Sequence, residues 1–171
     1  MVKRVIQREK KVAIPKIKHL LLLAVLAFAS CDGTVYHSFK QVNSEAWLPS
    51  DTLSYVYEGV DKTNGDAVLK LSAQVRYNSG YKYKNLLMRV ETLRMADTTL
   101  VSVDTLCCRI YDDNGRRLGS TAGSIYQSGS NEVVIDALPT DTLMLRLSHI
   151  MSGNSLSGVC DVGVKLTSEK K

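Results

Sequence analysis

Eleven residues, Ala67 to Tyr77, constrain the fold more than any other stretch. Ala67, Leu69, Leu71, Ala73, Val75 and Tyr77 alternate with Val68, Lys70, Ser72, Gln74 and Arg76. Successive side chains of a strand point to opposite faces, so one face of this segment is apolar and the other mostly wet. Strands of parallel sheets are apolar on both faces, whereas an antiparallel sheet packs on its core from one side. The segment therefore predicts an antiparallel sheet with one solvated face.

The same pattern recurs along the chain. Thr52–Val60 sets Leu53, Tyr55 and Tyr57 against Ser54, Val56 and Glu58. KTNGD at 62–66 is a hairpin signal through its Asn-Gly pair. Leu86–Met95 turns Leu86, Met88 and Val90 inward, and Leu100–Tyr111 is a long strand running through Cys107 and Cys108. Asp112-Asp113-Asn114-Gly115 is a turn, because Asp and Asn side chains bond to nearby backbone and Gly accepts the left-handed conformation. Arg116–Gly129 reads as a Gly/Ser-rich connection. Val133–Leu138, Thr142–His149 and Val159–Leu166 complete the strands, with Thr167–Lys171 as a frayed tail. About eight strands between turn signals, and no amphipathic helix, predict an all-β protein: an antiparallel β-sandwich, jelly-roll-like or immunoglobulin-like.

The first 50 residues are of another kind. Leu20–Ala29 is apolar but is about half the roughly 20 residues that a spanning helix needs. It suits the core of a signal peptide, and Lys3, Arg4, Arg8, Lys10, Lys11, Lys16 and Lys18 supply the positive segment before it. Phe28-Ala29-Ser30-Cys31 then resembles a bacterial lipobox, with Phe28 in place of the usual Leu. Its small residues let a peptidase approach the backbone, and the Cys31 thiol is the group that accepts the lipid. The expected organisation is a signal peptide over 1–30, a lipidated tether and lead-in segment over 31–50, with Trp47 and Leu48 at the domain edge, and a β-sandwich domain over 51–171.

This organisation removes the apparent basicity. The net charge of +5 rests on the first 30 residues, which hold seven basic groups and one acidic group. From Cys31 onward 15 basic groups face 16 acidic ones, so the charge gives no ground for a nucleic-acid partner. The remaining 141 residues make one ordinary domain, large enough to bury a core without a metal.

An exported chain folds in an oxidising compartment, which makes Cys107, Cys108 and Cys160 candidates for a disulfide. Cys107 and Cys108 face opposite sides of a strand, so only one of them could reach Cys160, closing a loop worth about 4 kcal/mol. The alternative is that all are small buried thiols. His37 and His149 have no His, Cys or Glu at metal-ligand spacing, and no nucleophile elbow, phosphate loop or dinucleotide fingerprint occurs. Asp112 and Asp113 belong to a turn. The expectation is no catalytic residue, no metal, no cofactor and no identified small-molecule substrate.

Tyr77, Tyr81 and Tyr83 gather with Lys82 and Lys84 around one loop. Three readings stand: rings that cap the sandwich end, an interface for a protein partner, or an aromatic platform for a sugar.

The succession of motifs resembles the gliding motility lipoprotein GldH family of Bacteroidetes bacteria. It comprises Cys31-Asp32 after the lipobox, Val35-Tyr36, the Trp47 region, YNSGYKYKNLLMRV at 77–90, VDTLCCRIYDDNGRRLG at 103–119 and Leu156–Val164. Ser157 stands where family members usually carry Pro. The resemblance implies a lipid-anchored, non-catalytic envelope protein linked to gliding and to the type IX secretion apparatus, held to a membrane by its N-terminal lipid and meeting other envelope proteins. The alternative function is a carbohydrate-binding envelope lipoprotein. In the stretch just after Cys31, Asp32-Gly33-Thr34-Val35-Tyr36, only Asp32 is acidic, unlike the acidic export signals of surface lipoproteins, so the domain is expected to face the periplasm.

Overall fold

A computed structural model describes residues 33–59 and 67–170. The signal segment, the lipobox with Cys31 and the KTNGD turn lie outside the described residues.

Among the described residues ten strands form two antiparallel sheets: β1 (Thr34–Gln41), β2 (Leu53–Tyr57), β3 (Ala67–Tyr77), β4 (Asn85–Arg94), β5 (Leu100–Arg109), β6 (Ser120–Ala122), β7 (Ile125–Gly129), β8 (Val133–Ile135), β9 (Leu143–His149) and β10 (Val159–Lys170). The larger sheet runs β1-β10-β3-β7-β6, with β8 also paired to β3, and the smaller runs β2-β9-β4-β5. β7 and β8 share one edge of β3: β7 pairs with Gln74–Tyr77 and β8 with Leu69–Leu71. Between them Ser130 bonds Ala73 twice, its amide donating to the carbonyl and its hydroxyl accepting from the amide. The all-β class and the two-layer sandwich match the expectation from the sequence.

The alternation of β3 is the frame of the core. Leu69, Leu71, Ala73, Val75 and Tyr77 are fully buried. They meet Val162, Val164 and Leu166 of β10 and the inward faces of the smaller sheet: Tyr55 and Tyr57, Leu86, Met88 and Val90, Leu106 and Cys108, and Leu143, Leu145 and Leu147. Tyr55 joins the layers directly, its hydroxyl donating to the Val162 carbonyl at 2.7 Å.

Four expectations are corrected. The lead-in over 31–50 is not a free tether from Thr34 onward, because β1 pairs with β10 over Thr34–Gln41. Its side chains lack the alternation of a half-buried strand because it sits at the sheet edge. Trp47 is not at the domain edge: it is fully buried, its amide and carbonyl bridged to Leu156, while Leu48 is exposed. The Gly/Ser-rich connection holds a hairpin, β6–β7, with Gly123 at φ +63 in its turn. Nor does the chain fray after Leu166, since Thr167–Lys170 pair with Ala67–Lys70.

Candidate functional site

The tyrosine loop lies at the end of the sandwich where β3 stops and β4 begins. Tyr77 closes β3 and is fully buried, its ring stacked on Tyr126 with centroids 5.5 Å apart. Asn78 then turns the chain: its amide donates to the Gly158 carbonyl at 2.8 Å, and its Oδ1 accepts the Gly80 amide at 2.8 Å. Tyr81 folds back into the core and donates its hydroxyl to the Asn85 carbonyl at 2.8 Å. Burial pushes the Tyr81 phenol well above the ordinary range, with smaller contributions from Cys108 and Tyr83. Tyr111 donates to the Tyr81 carbonyl at 3.3 Å, and the amides of Ile110 and Tyr111 both donate to the Lys84 carbonyl. The loop is therefore tied at both ends and in its middle.

This bracing leaves Lys82, Tyr83 and Lys84 outside. Tyr83 is 44% exposed and rests edge-on against the buried Tyr81 ring at 5.8 Å. Lys84 pairs with Asp113 at 2.5 Å, which holds the Asp113 carboxyl below its usual value. Arg117 lies over Tyr126 at 4.1 Å, and Arg109 and Arg116 are exposed nearby in sequence and register. Of the five loop residues expected to bind a partner, Tyr77 and Tyr81 are buried supports. Tyr83, Lys82 and Lys84 form the accessible part. Arg117 escaped the sequence reading because its partner Tyr126 comes from a hairpin that was not foreseen.

The turn at 112–115 uses its carboxylates structurally. Asp112 Oδ1 accepts the amides of Asn114 and Arg116, and Asp113 faces Lys84. His37 is within hydrogen-bond distance of Gln74, and His149 of the Trp47 carbonyl. No described histidine is bonded to a cysteine, serine or carboxylate side chain. Among the described residues no three His, Cys, Asp or Glu side chains converge as metal ligands. No helix among them is long and apolar enough to cross a membrane.

Cys107, Cys108 and Cys160, the candidates for a disulfide, are free thiols in this structure. Cys108 is buried and Cys107 half-buried on the opposite face of β5, so the vicinal pair diverges as expected. Burial, with a smaller contribution from Cys107, pushes the Cys108 thiol up to about 12. Cys160 accepts a long hydrogen bond from Asn78 at 3.6 Å and, mainly through burial, is also raised.

The GldH lipoprotein family matches this chain over residues 34–166. The chain is similar to the gliding motility lipoprotein GldH homolog of Christiangramia forsetii, with 23% identity over 156 residues that cover 86% of this chain and 92% of that protein. It is also similar to the gamma-D-glutamyl-L-lysine dipeptidyl-peptidase of Bacillus cereus, at 31% identity over 116 residues. That match takes in 64% of this chain and spans about a third, 34%, of the peptidase. Among solved structures, the infectious bursal disease virus VP2 subviral particle aligns with 82% of this chain and 34% of its own, at 14% identity and a TM-score of 0.36. The family match runs from the first residue of β1 through β9 and along β10 as far as Leu166: the chain belongs to the GldH lipoprotein family.

Proposed function

We propose that this lipoprotein works by docking, as a non-catalytic envelope component linked to gliding motility and the type IX secretion machinery. It is anchored through Cys31 and faces the periplasm. The observation that carries the reading is the Lys82-Tyr83-Lys84 triplet held out from a braced loop. Tyr and Arg are typical anchors of protein interfaces, and a pre-ordered loop loses little conformational entropy on binding. Membership of the family and the similarity to a gliding motility lipoprotein support the setting. The non-catalytic half of the reading is supported by how the reactive groups are engaged: Asp112 and Asp113 in a turn, His149 on a backbone carbonyl, Cys108 as a neutral buried thiol.

The test is photo-cross-linking in cells from a reactive residue placed at Tyr83, with exposed Asp136 as the control position. Position 83 is expected to capture a discrete envelope protein and position 136 is not. Tyr83→Ala with Lys82→Glu should weaken that capture by about tenfold or more. Identical products from both positions, with secretion and gliding normal in the double variant, would overturn the reading.

A further inference from the structure

The described chain begins at one particular end of the sandwich. The Gly33 carbonyl accepts the Ser168 amide at 2.8 Å, Thr34 pairs with Thr167, and Lys170 pairs with Ala67. β1 thus enters where β10 stops and β3 starts, the opposite end of β3 from Tyr77. Eleven residues of strand separate the two ends by roughly 33 Å. The smaller sheet brings its own turns to the Gly33 end. The Tyr57 hydroxyl donates to the Pro139 carbonyl at 2.7 Å, and Tyr57, Leu143 and Arg94 lie in register across β2, β9 and β4.

Exposed apolar side chains gather at this same end. Val134, Leu138 and Leu100, at 61%, 57% and 53%, are the most exposed of the described large apolar residues. Met95 and Val56 are exposed as well. The turns that carry them are tied together. Leu138 donates its amide to Asp141 Oδ2, the carboxylate oxygen that also pairs with Arg94 at 3.2 Å. The Met95 amide donates to the Thr142 carbonyl at 2.9 Å, and Leu93 pairs with Leu100. From this end Val56, Met144, Leu93 and Leu100 form one apolar row across all four strands of the smaller sheet.

Apolar side chains this exposed on fixed turns need a cover. The covalent chain says which. Cys31 precedes Gly33 by two residues, which span at most about 7 Å. We propose that this end of the sandwich rests on the bilayer to which Cys31 is anchored, with Leu138, Leu100 and Met95 entering the boundary between headgroups and acyl chains. The proposal rests on the anchoring at Cys31. It adds an orientation: the apolar end lies on the lipid and Tyr83 points away from it. Lys70 is paired with the exposed Glu169 and Arg94 with Asp141, and Glu58, Asp97 and Asp136 are exposed acids among the described side chains here. Such an end favours a zwitterionic over an anionic surface.

The test uses the lipidated full chain reconstituted into phosphatidylcholine vesicles with brominated acyl chains, which quench nearby tryptophan. Leu138→Trp, Leu100→Trp and Tyr83→Trp are compared, each corrected for the native Trp47 by the parent protein. All three positions are exposed, so the substitutions leave the core untouched. Quenching at 138 and 100 is expected to exceed that at 83 by about twofold or more, since only residues at the acyl boundary reach the bromines. Equal quenching at all three positions, in protein whose intact mass shows the lipid, overturns the docking and leaves the anchor standing. A mass without lipid at Cys31 overturns both.

Discussion

His149 and Trp47 share a backbone carbonyl and a ring contact. His149 Nε2 lies 3.1 Å from the Trp47 carbonyl oxygen, and the two rings meet edge to face with centroids 5.0 Å apart. The same carbonyl accepts the Leu156 amide at 2.8 Å, while the indole Nε1 donates to the Asp51 carbonyl at 3.0 Å. The carbonyl can only accept, so His149 carries its proton on Nε2, and Nδ1 is buried without a partner. A second proton on Nδ1 would put a charge where nothing receives it.

Burial accordingly holds the His149 pKa below its ordinary value, the bond to Trp47 and the nearby Asp51 opposing only in part. In the unfolded chain it titrates near about 6.5. Below that pH the unfolded state binds a proton that the folded state resists, so this contribution to stability is fully present above about pH 6.5 and is lost as the pH falls further. Thermal unfolding followed from pH 7.5 to 5.5 should show a falling Tm. His149→Gln should be less stable at pH 7.5 but show a flatter profile. An unchanged slope in the variant would assign the acid sensitivity to other groups.

Gly158 is the hinge pin of the tyrosine loop. It sits at φ +84, its amide donates to the Ser44 carbonyl and its own carbonyl accepts the Asn78 amide. A Cβ there would lie 2.1 Å from the Tyr81 amide nitrogen and 2.5 Å from the Gly80 carbonyl carbon. These are backbone atoms of the loop itself, so the clash cannot be relieved by a rotamer change. Gly158→Ala should cost about 3 kcal/mol or more in denaturant unfolding, and amide exchange should quicken first at Asn78–Asn85. A cost below about 1 kcal/mol would show that the loop is free to shift.

What could be read in the sequence depended on alternation. β3, β4 and β9 each bury one face, and their inward residues were legible one by one. β1 was hidden because an edge strand packed on both sides only partly shows no alternation: Val35 and Tyr36 lean on the core while His37 is exposed and Phe39 lies flat over Gly163. Arg76 stacks on that Phe39 ring at 3.9 Å, a pairing between β1 and β3 that neither segment announces alone. The tyrosine loop was visible as a cluster, but not its division of labour. Which rings turn inward depends on Asn78, Gly80 and Gly158, and the last of these is distant in sequence.

Tyr55 supplies a direct bond between the two layers. Its hydroxyl reaches the Val162 carbonyl from within the core, and burial raises its phenol far above the ordinary range, with Tyr36 and Asp161 adding to the effect. Tyr55→Phe keeps the ring and removes the donor. The carbonyl loses a bond it cannot regain from water, so unfolding should become easier by about 1–2 kcal/mol without a change in denaturant slope. An indistinguishable midpoint would mean that the core admits water at this point.

The cysteines should separate by reactivity. Cys107 lies half-buried on the outer face of β5, its amide taking Asn131 Oδ1 as acceptor at 2.8 Å. Cys108 is buried against the Ala73 carbonyl, and with its thiol pushed up to about 12 only about one molecule in ten thousand would present a thiolate at pH 8. Cys160 falls between them, half-buried and raised. Alkylation of the folded protein followed by peptide mapping should label Cys107 first, Cys160 more slowly and Cys108 only on the timescale of unfolding. After denaturation without reductant all three should react. A count of one thiol would reveal a disulfide, and labelling of Cys108 as fast as Cys107 would mean that β5 opens away from the larger sheet.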